Sequence, residues 1–181
     1  KSLEKKLHTI QMNLKKNSID FYILSSLDSI AWLLNIRGDD IPYTPLLLSY
    51  AIIPKKGNID FFVEHKKIVN IKKSLLKKVN FNKIDNLDSY INKINKNSII
   101  GMDKFKTNYQ FNRICKKNKL KILYLSDPCT YPKAEKNKTE IIGAKNANIR
   151  DGITITKFLY WLKNKVDSSK MDEISAANFL Y

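Results

Sequence analysis

An α/β domain, with a mixed β-sheet flanked by helices, is predicted for most of this 181-residue chain. Three observations predict it. Short apolar runs of strand length alternate with helix-period segments over roughly 130 residues. One pair of runs, Ser49-Tyr50-Ala51-Ile52-Ile53 and Ile59-Asp60-Phe61-Phe62-Val63, flanks Pro54-Lys55-Lys56-Gly57-Asn58, which has the composition of a hairpin turn. That pair is antiparallel, whereas strands joined through helices run parallel, so the sheet is mixed. Hydrophobic residues make up 43% of the chain, enough for a core and too many for disorder.

The elements follow in order. Leu3, Leu7, Ile10 and Leu14 recur at helical spacing, so a helix over 3–16 is expected, ended by Asn17-Ser18. Ile19-Asp20-Phe21-Tyr22-Ile23-Leu24 reads as a strand bounded by Ser25-Ser26. Ser26 is placed to cap a helix carrying Ile30, Ala31, Trp32, Leu33 and Leu34. That helix is apolar almost all round and is therefore buried. After the hairpin, a lysine-rich amphipathic helix is expected over 68–78 and a strand over 79–84. Leu87, Ile91 and Ile94 imply the next helix, 98–103 a strand, 108–117 a helix and 120–125 a strand.

Asp127-Pro128-Cys129-Thr130-Tyr131-Pro132 is the expected boundary, because proline interrupts helices and central strands. Beyond it, Asn137 and Glu140 form a capping-box pair ahead of a long helix. Residues 167–170 break that helix, and Asp172 caps another that starts at Glu173. Two helices alone leave their apolar faces uncovered, and the chain starts at Lys1 rather than Met, so a piece of a longer protein is expected. A targeting segment ahead of Lys1 is left open.

Composition excludes several function classes. The formal net charge is +16, yet only Arg37, Arg113 and Arg150 are arginines. Arginine's planar fork is the usual reader of phosphate and guanine, and dispersed lysines are not. No specific nucleic-acid function is predicted, only weak non-specific binding to polyanions. No apolar run approaches the ~20 residues that cross a bilayer. Cys115 and Cys129 make neither a disulfide framework nor a metal cluster, which points to a reducing compartment.

Local chemistry is missing as well. His8 and His65 are the only histidines, and each reads as solvent-facing. No His-Glu-x-x-His, Cys-x-x-Cys, phosphate-binding glycine loop or nucleophile signature occurs, so no catalytic and no metal-binding residue is assigned. The remaining polar constellation is Arg37-Gly38-Asp39-Asp40 with Tyr43. Gly38 would turn the backbone, the aspartates would cap or solvate it, and Arg37 would pair with one of them. Trp32 and Trp161 lie on apolar faces and read as core or interface anchors.

Residues 27–43, Leu-Asp-Ser-Ile-Ala-Trp-Leu-Leu-Asn-Ile-Arg-Gly-Asp-Asp-Ile-Pro-Tyr, lead on to Ser49-Tyr50-Ala51. This order of helix, Arg-Gly turn, proline loop and Ser-Tyr-Ala strand resembles the second domain of the three-domain Xaa-Pro aminopeptidases (aminopeptidase P). A second stretch runs from Tyr131-Pro132-Lys133-Ala134 through Ile149-Arg150-Asp151-Gly152 and Trp161-Leu162 to Glu173-Ile174-Ser175-Ala176-Ala177. It is similar to the opening helices of that family's pita-bread catalytic domain. The resemblance implies residues 1–132 as a creatinase N-terminal domain of ribonuclease H-like type, and 133–181 as the start of the catalytic domain.

It further implies an intact cytosolic enzyme that removes the N-terminal residue from peptides with proline second. Two divalent cations, commonly manganese, would be held by two Asp, two Glu and one His, none of which maps onto this chain. A homodimer through the catalytic domain is implied too. Arg37, Asp39, Asp40 and Tyr43 become candidates for shaping a substrate cleft or fixing a neighbouring domain. The alternative is a non-catalytic relative that uses the architecture to bind peptide or protein. Two-domain relatives that hydrolyse creatine or dipeptides fit less well, because they lack the Arg-Gly-Asp-Asp-Ile-Pro-Tyr pattern.

Overall fold

Helix α1 (Leu3–Lys16) starts where the Ser2 hydroxyl accepts the Lys5 N–H, and it buries the stripe Leu3, Leu7, Ile10 and Leu14. Asn17 caps its end, Ser18 adopts a left-handed conformation, and the Ile19 N–H returns to the Leu14 carbonyl. The structure is a computed structural model that describes residues 1–68, 77–165 and 171–180. Most of the helix expected over 68–78, and the break expected at 167–170, lie outside the described residues.

The remaining elements of the first part follow the predicted alternation. They are β1 (Phe21–Leu24), α2 (Leu27–Leu34), β2 (Ser49–Pro54), β3 (Ile59–Val63), β4 (Val79–Lys83), α3 (Leu87–Asn92), β5 (Ile99–Met102), α4 (Tyr109–Lys117), β6 (Lys121–Tyr124) and α5 (Thr130–Ala134). The six strands are ordered β4-β3-β2-β1-β5-β6. β2 pairs antiparallel with both β1 and β3, and every other pairing is parallel. The hairpin turn closes through Gly57 at φ 106°, a conformation open to glycine at little cost.

Strand alternation sends side chains to two cores. Tyr22, Leu24, Ala51, Ile53, Phe61 and Val63 face α1 and α2. Ile23, Ile52, Phe62, Ile100 and Met102 face α3 and α4. This three-layer arrangement is the predicted α/β fold with its mixed sheet. Gly101 lies opposite Tyr22 in the parallel pairing of β1 and β5. A Cβ there would stand 2.7 Å from Tyr22 Cδ2 and 2.9 Å from Ile19 Cδ1. The fully buried Tyr22 ring therefore occupies the space that a side chain at 101 would need.

Two local expectations are corrected. Ser26 sits at the N-cap position of α2 but makes no side-chain cap bond. Pro132 lies inside α5, where the first helical turn has no use for its missing N–H.

The chain divides into two compact units, Lys1–Ala134 and Glu135–Tyr181. In the second, α6 (Lys138–Lys165) opens on the predicted capping box: Glu140 accepts the Asn137 N–H at 2.7 Å, and Asn137 accepts the Glu140 N–H at 3.0 Å. α7 (Glu173–Leu180) is capped by Asp172, which accepts the Ser175 N–H at 2.7 Å. The Trp161 and Phe179 rings stack with centroids 4.0 Å apart, joining the two helices.

Candidate functional site at the carboxyl edge of the sheet

Five strands run parallel, so their carboxyl ends emerge along one edge. Open α/β sheets bind ligands outside that edge. Because β2 runs the other way, residues 35–48, which lead from α2 into β2, must climb to the same edge. The Arg-Gly-Asp-Asp constellation lies within this loop.

The loop begins at a tightly held helix end. Asn35 is left-handed (φ 56°, ψ 38°), and the Asn35 and Ile36 N–H groups both donate to the Ala31 carbonyl. The buried Lys6 ammonium donates to the Trp32 carbonyl and to Asn35 Oδ1, and lies 4.6 Å from the Trp32 ring centroid. Arg37 Nη1 donates to the carbonyls of Ala31 at 3.2 Å and Ile36 at 2.8 Å. Two cations thus meet the negative end of the α2 dipole. The expected pairing of Arg37 with Asp39 or Asp40 is corrected, because the helix end supplies nearer acceptors.

Gly38 lets the two arms of the loop meet. A Cβ at 38 would stand 2.9 Å from Leu47 Cβ and 3.1 Å from Leu47 Cα. The Gly38 and Asp40 N–H groups donate to the carbonyls of Pro45 (3.5 Å) and Leu46 (3.3 Å). At the tip, Thr44 N–H donates to the Ile41 carbonyl at 3.0 Å, with Pro42 second and Tyr43 third. Tyr43 has φ 61°. Proline followed by a positive φ makes this a type II turn, whose third position favours glycine. A side chain there costs about 1–2 kcal/mol. Tyr43 is largely exposed.

Asp40 anchors the loop while Asp39 faces solvent. Asp40 Oδ2 accepts the Leu48 N–H at 2.7 Å, and Oδ1 pairs with Lys67 Nζ at 2.6 Å. Burial raises the Asp40 pKa, but the bonds from Lys67 and the Leu48 N–H outweigh it and leave the group below the usual carboxylate range. A lowered folded pKa stabilises above the unfolded value and is lost as pH falls through the folded one. Exchange protection of the Leu48 amide is therefore expected to persist through the ordinary carboxylate range and to be lost only in more acidic solution. Unchanged protection in acid would show that Asp40 does not hold the loop.

A second polar cluster on this edge escaped sequence reasoning. Asp103 follows β5, and Asp127 follows β6; both are buried. Asp103 accepts the N–H groups of Phe105, Lys106 and Asp127 at 2.9, 3.2 and 3.0 Å. Burial raises its pKa, yet these donors and the Lys106 charge hold it low. Asp127 accepts the Ser29 hydroxyl at 2.6 Å and the Cys129 N–H at 2.8 Å, with Lys106 Nζ 3.9 Å away. Lys133 pairs with Asp28 and donates to Ser29 Oγ at 3.2 Å. The available signal was an aspartate just beyond a strand and before turn residues, an arrangement that binds local N–H groups.

These carboxylates accept two or three hydrogen bonds each and so tie three connections together. Burial, then the charge of Asp127, push the Cys129 thiol far above its ordinary value, which removes it as a nucleophile. Among the described residues no group of three or more His, Cys, Asp or Glu side chains could hold a metal ion. His8 is exposed on α1, and the His65 side chain lies outside the described residues. The described residues do not fit the two cations that the resemblance implies, and no chemical step is assigned through them.

Comparison with known proteins agrees with this architecture. The chain is 33% identical over 180 residues to Xaa-Pro aminopeptidase 1 of Dictyostelium discoideum, covering 99% of this chain and 28% of that protein. The crystal structure of X-prolyl aminopeptidase from Caenorhabditis elegans, described as a cytosolic enzyme with a di-nuclear active site, superimposes with TM-score 0.83 at 27% identity, over 99% of this chain and 30% of that one. An Xaa-Pro dipeptidase from Bacillus anthracis shares the fold at TM-score 0.71 and 14% identity, over 99% and 48%. The chain thus spans less than a third of the aminopeptidases it matches. The creatinase/prolidase N-terminal domain model matches residues 1–140. With that match over the whole described sheet, the chain belongs to the creatinase/prolidase N-terminal domain family.

Proposed function

We propose that this chain is the non-catalytic part of a metal-dependent Xaa-Pro aminopeptidase, acting on peptides with proline second. The observation that carries the reading is 33% identity to such an enzyme over 99% of the chain. In this reading residues 1–132 wall the substrate cleft, and 133–181 open a pita-bread catalytic domain. The two compact units support that division. So do Ile142, Ile149, Ile153, Leu159 and Ile174, apolar side chains that α6 and α7 leave exposed, as helices awaiting cover would. Arg37, Asp39, Asp40 and Tyr43 form the part of the wall that meets substrate or a neighbouring domain. Two divalent cations, manganese by family habit, are held outside this chain. A cytosolic homodimer is proposed; the cytosolic description of the nematode enzyme supports the location.

A protein carrying this chain with the remaining length of its relatives is expected to release the first residue of an Xaa-Pro peptide. Chelation should abolish that activity and manganese restore it. Retained activity in chelator, or none with any divalent ion, overturns the proposal. The 1–181 chain alone is expected to release nothing.

A further inference from the structure

We propose that the open lateral edge of β6 binds an acidic, extended protein segment as a seventh strand of the sheet. β6 ends the strand order, and among the described residues it pairs with β5 alone. The Leu125 N–H donates to the Met102 carbonyl at 3.1 Å, which turns the odd-numbered residues of this strand toward β5. The N–H and C=O groups of Ile122 and Tyr124 therefore point to the open side, the arrangement that accepts an added strand. Leu123, 41% exposed, offers that strand an apolar contact beside the ladder.

Charge selects the occupant. Residues 104–126, which hold α4 and β6, contain seven lysines and arginines and no aspartate or glutamate. The core-facing side of α4 is Phe111, Ile114 and Cys115. Its exposed side carries Arg113, Lys116 and Lys117, and the exposed Lys119 and Lys121 continue the positive charge into the strand. Among the described residues none of these five forms a salt bridge. Lysine on an edge strand is an ordinary guard against aggregation. Five unopposed cations beside open backbone groups and an uncovered leucine go further and make a complementary surface. A second copy would set the same cations against themselves, so self-pairing is opposed. A strand carrying glutamate or aspartate meets them with opposite charge.

The test titrates the full-length protein, at near-physiological salt, into three fluorescent probes followed by anisotropy. They are a short peptide alternating glutamate with valine, one alternating glutamate with proline, and an oligothymidylate of equal length. Proline keeps the charge and removes the ladder N–H. The valine peptide is expected to bind about 10-fold more tightly than the other two. Lys119→Glu with Lys121→Glu should weaken it about 10-fold. Lys15→Glu with Lys16→Glu on α1, which lowers net charge equally, should change little. Bound peptide should slow hydrogen exchange at the Ile122 and Tyr124 amides, which face the open side. Valine-peptide binding that is absent or no tighter than that of the other probes overturns the proposal. So does an equal loss in both charge-reversed variants, or unchanged exchange at those two amides. Binding is read directly, so the outcome does not depend on whether the protein cleaves peptides.

Discussion

Asp127→Ala is expected to lower the unfolding free energy of the 1–181 chain by about 2–4 kcal/mol. The carboxylate side chain is 1% exposed and accepts from Ser29 Oγ and the Cys129 N–H, with the Lys106 ammonium close by. Alanine leaves that buried N–H and hydroxyl without acceptors, and an unpaired buried donor carries its full desolvation cost. It also unties the connection after β6 from the start of α2, which are 98 residues apart in sequence. Asp127→Asn keeps one acceptor oxygen and should cost about 1–2 kcal/mol. Urea unfolding followed by linear extrapolation separates the two variants. A loss below 1 kcal/mol for alanine would show that Lys106 and Ser29 repartner without it.

Gly101→Ala should cost about 1–3 kcal/mol and lower the thermal midpoint by several degrees. The new Cβ would meet Tyr22 Cδ2 at 2.7 Å, a distance that real Cβ atoms do not show. Tyr22 cannot step aside: it is fully buried, and its hydroxyl donates to the Leu125 carbonyl at 3.0 Å. Relief must come from separating β1 and β5 at the centre of the sheet. The double substitution Tyr22→Leu with Gly101→Ala should then lose less than the sum of the two singles, because the ring responsible for the overlap is gone. Strict additivity would place the cost elsewhere.

Both sites show why the carboxyl edge can present a rigid loop. Its carboxylates are bound by local N–H groups and by distant side chains, so the connections have little freedom left. Charge matters less to this edge than composition implies. Among the described residues, Lys67, Lys106 and Lys133 each face an aspartate there, and Lys6 faces the end of α2.

Much of the fold was legible along the chain. The stripe of α1, the glycine turn between β2 and β3, the capping box at Asn137 and Glu140, and the Asp172 cap all depend on residues within a few positions of one another. Periodicity and caps are local, and local patterns survive folding. The order of helix, Arg-Gly turn, proline loop and strand carried the family for the same reason.

Strand order decided the rest. Whether Asp127 meets Ser29, whether a ring lies over Gly101, and whether Lys6 rather than a neighbour closes α2 depend on contacts between residues 26 to 98 apart. Arg37 illustrates the limit: two aspartates adjoin it in sequence, yet the helix end offered carbonyls in better positions. Tyr43 marks it too. Ile-Pro-Tyr-Thr contains no glycine, so a left-handed third residue is not foreseen by local preference. It exists because the arms of the loop are pinned on each side, and pinning is a property of the assembled sheet.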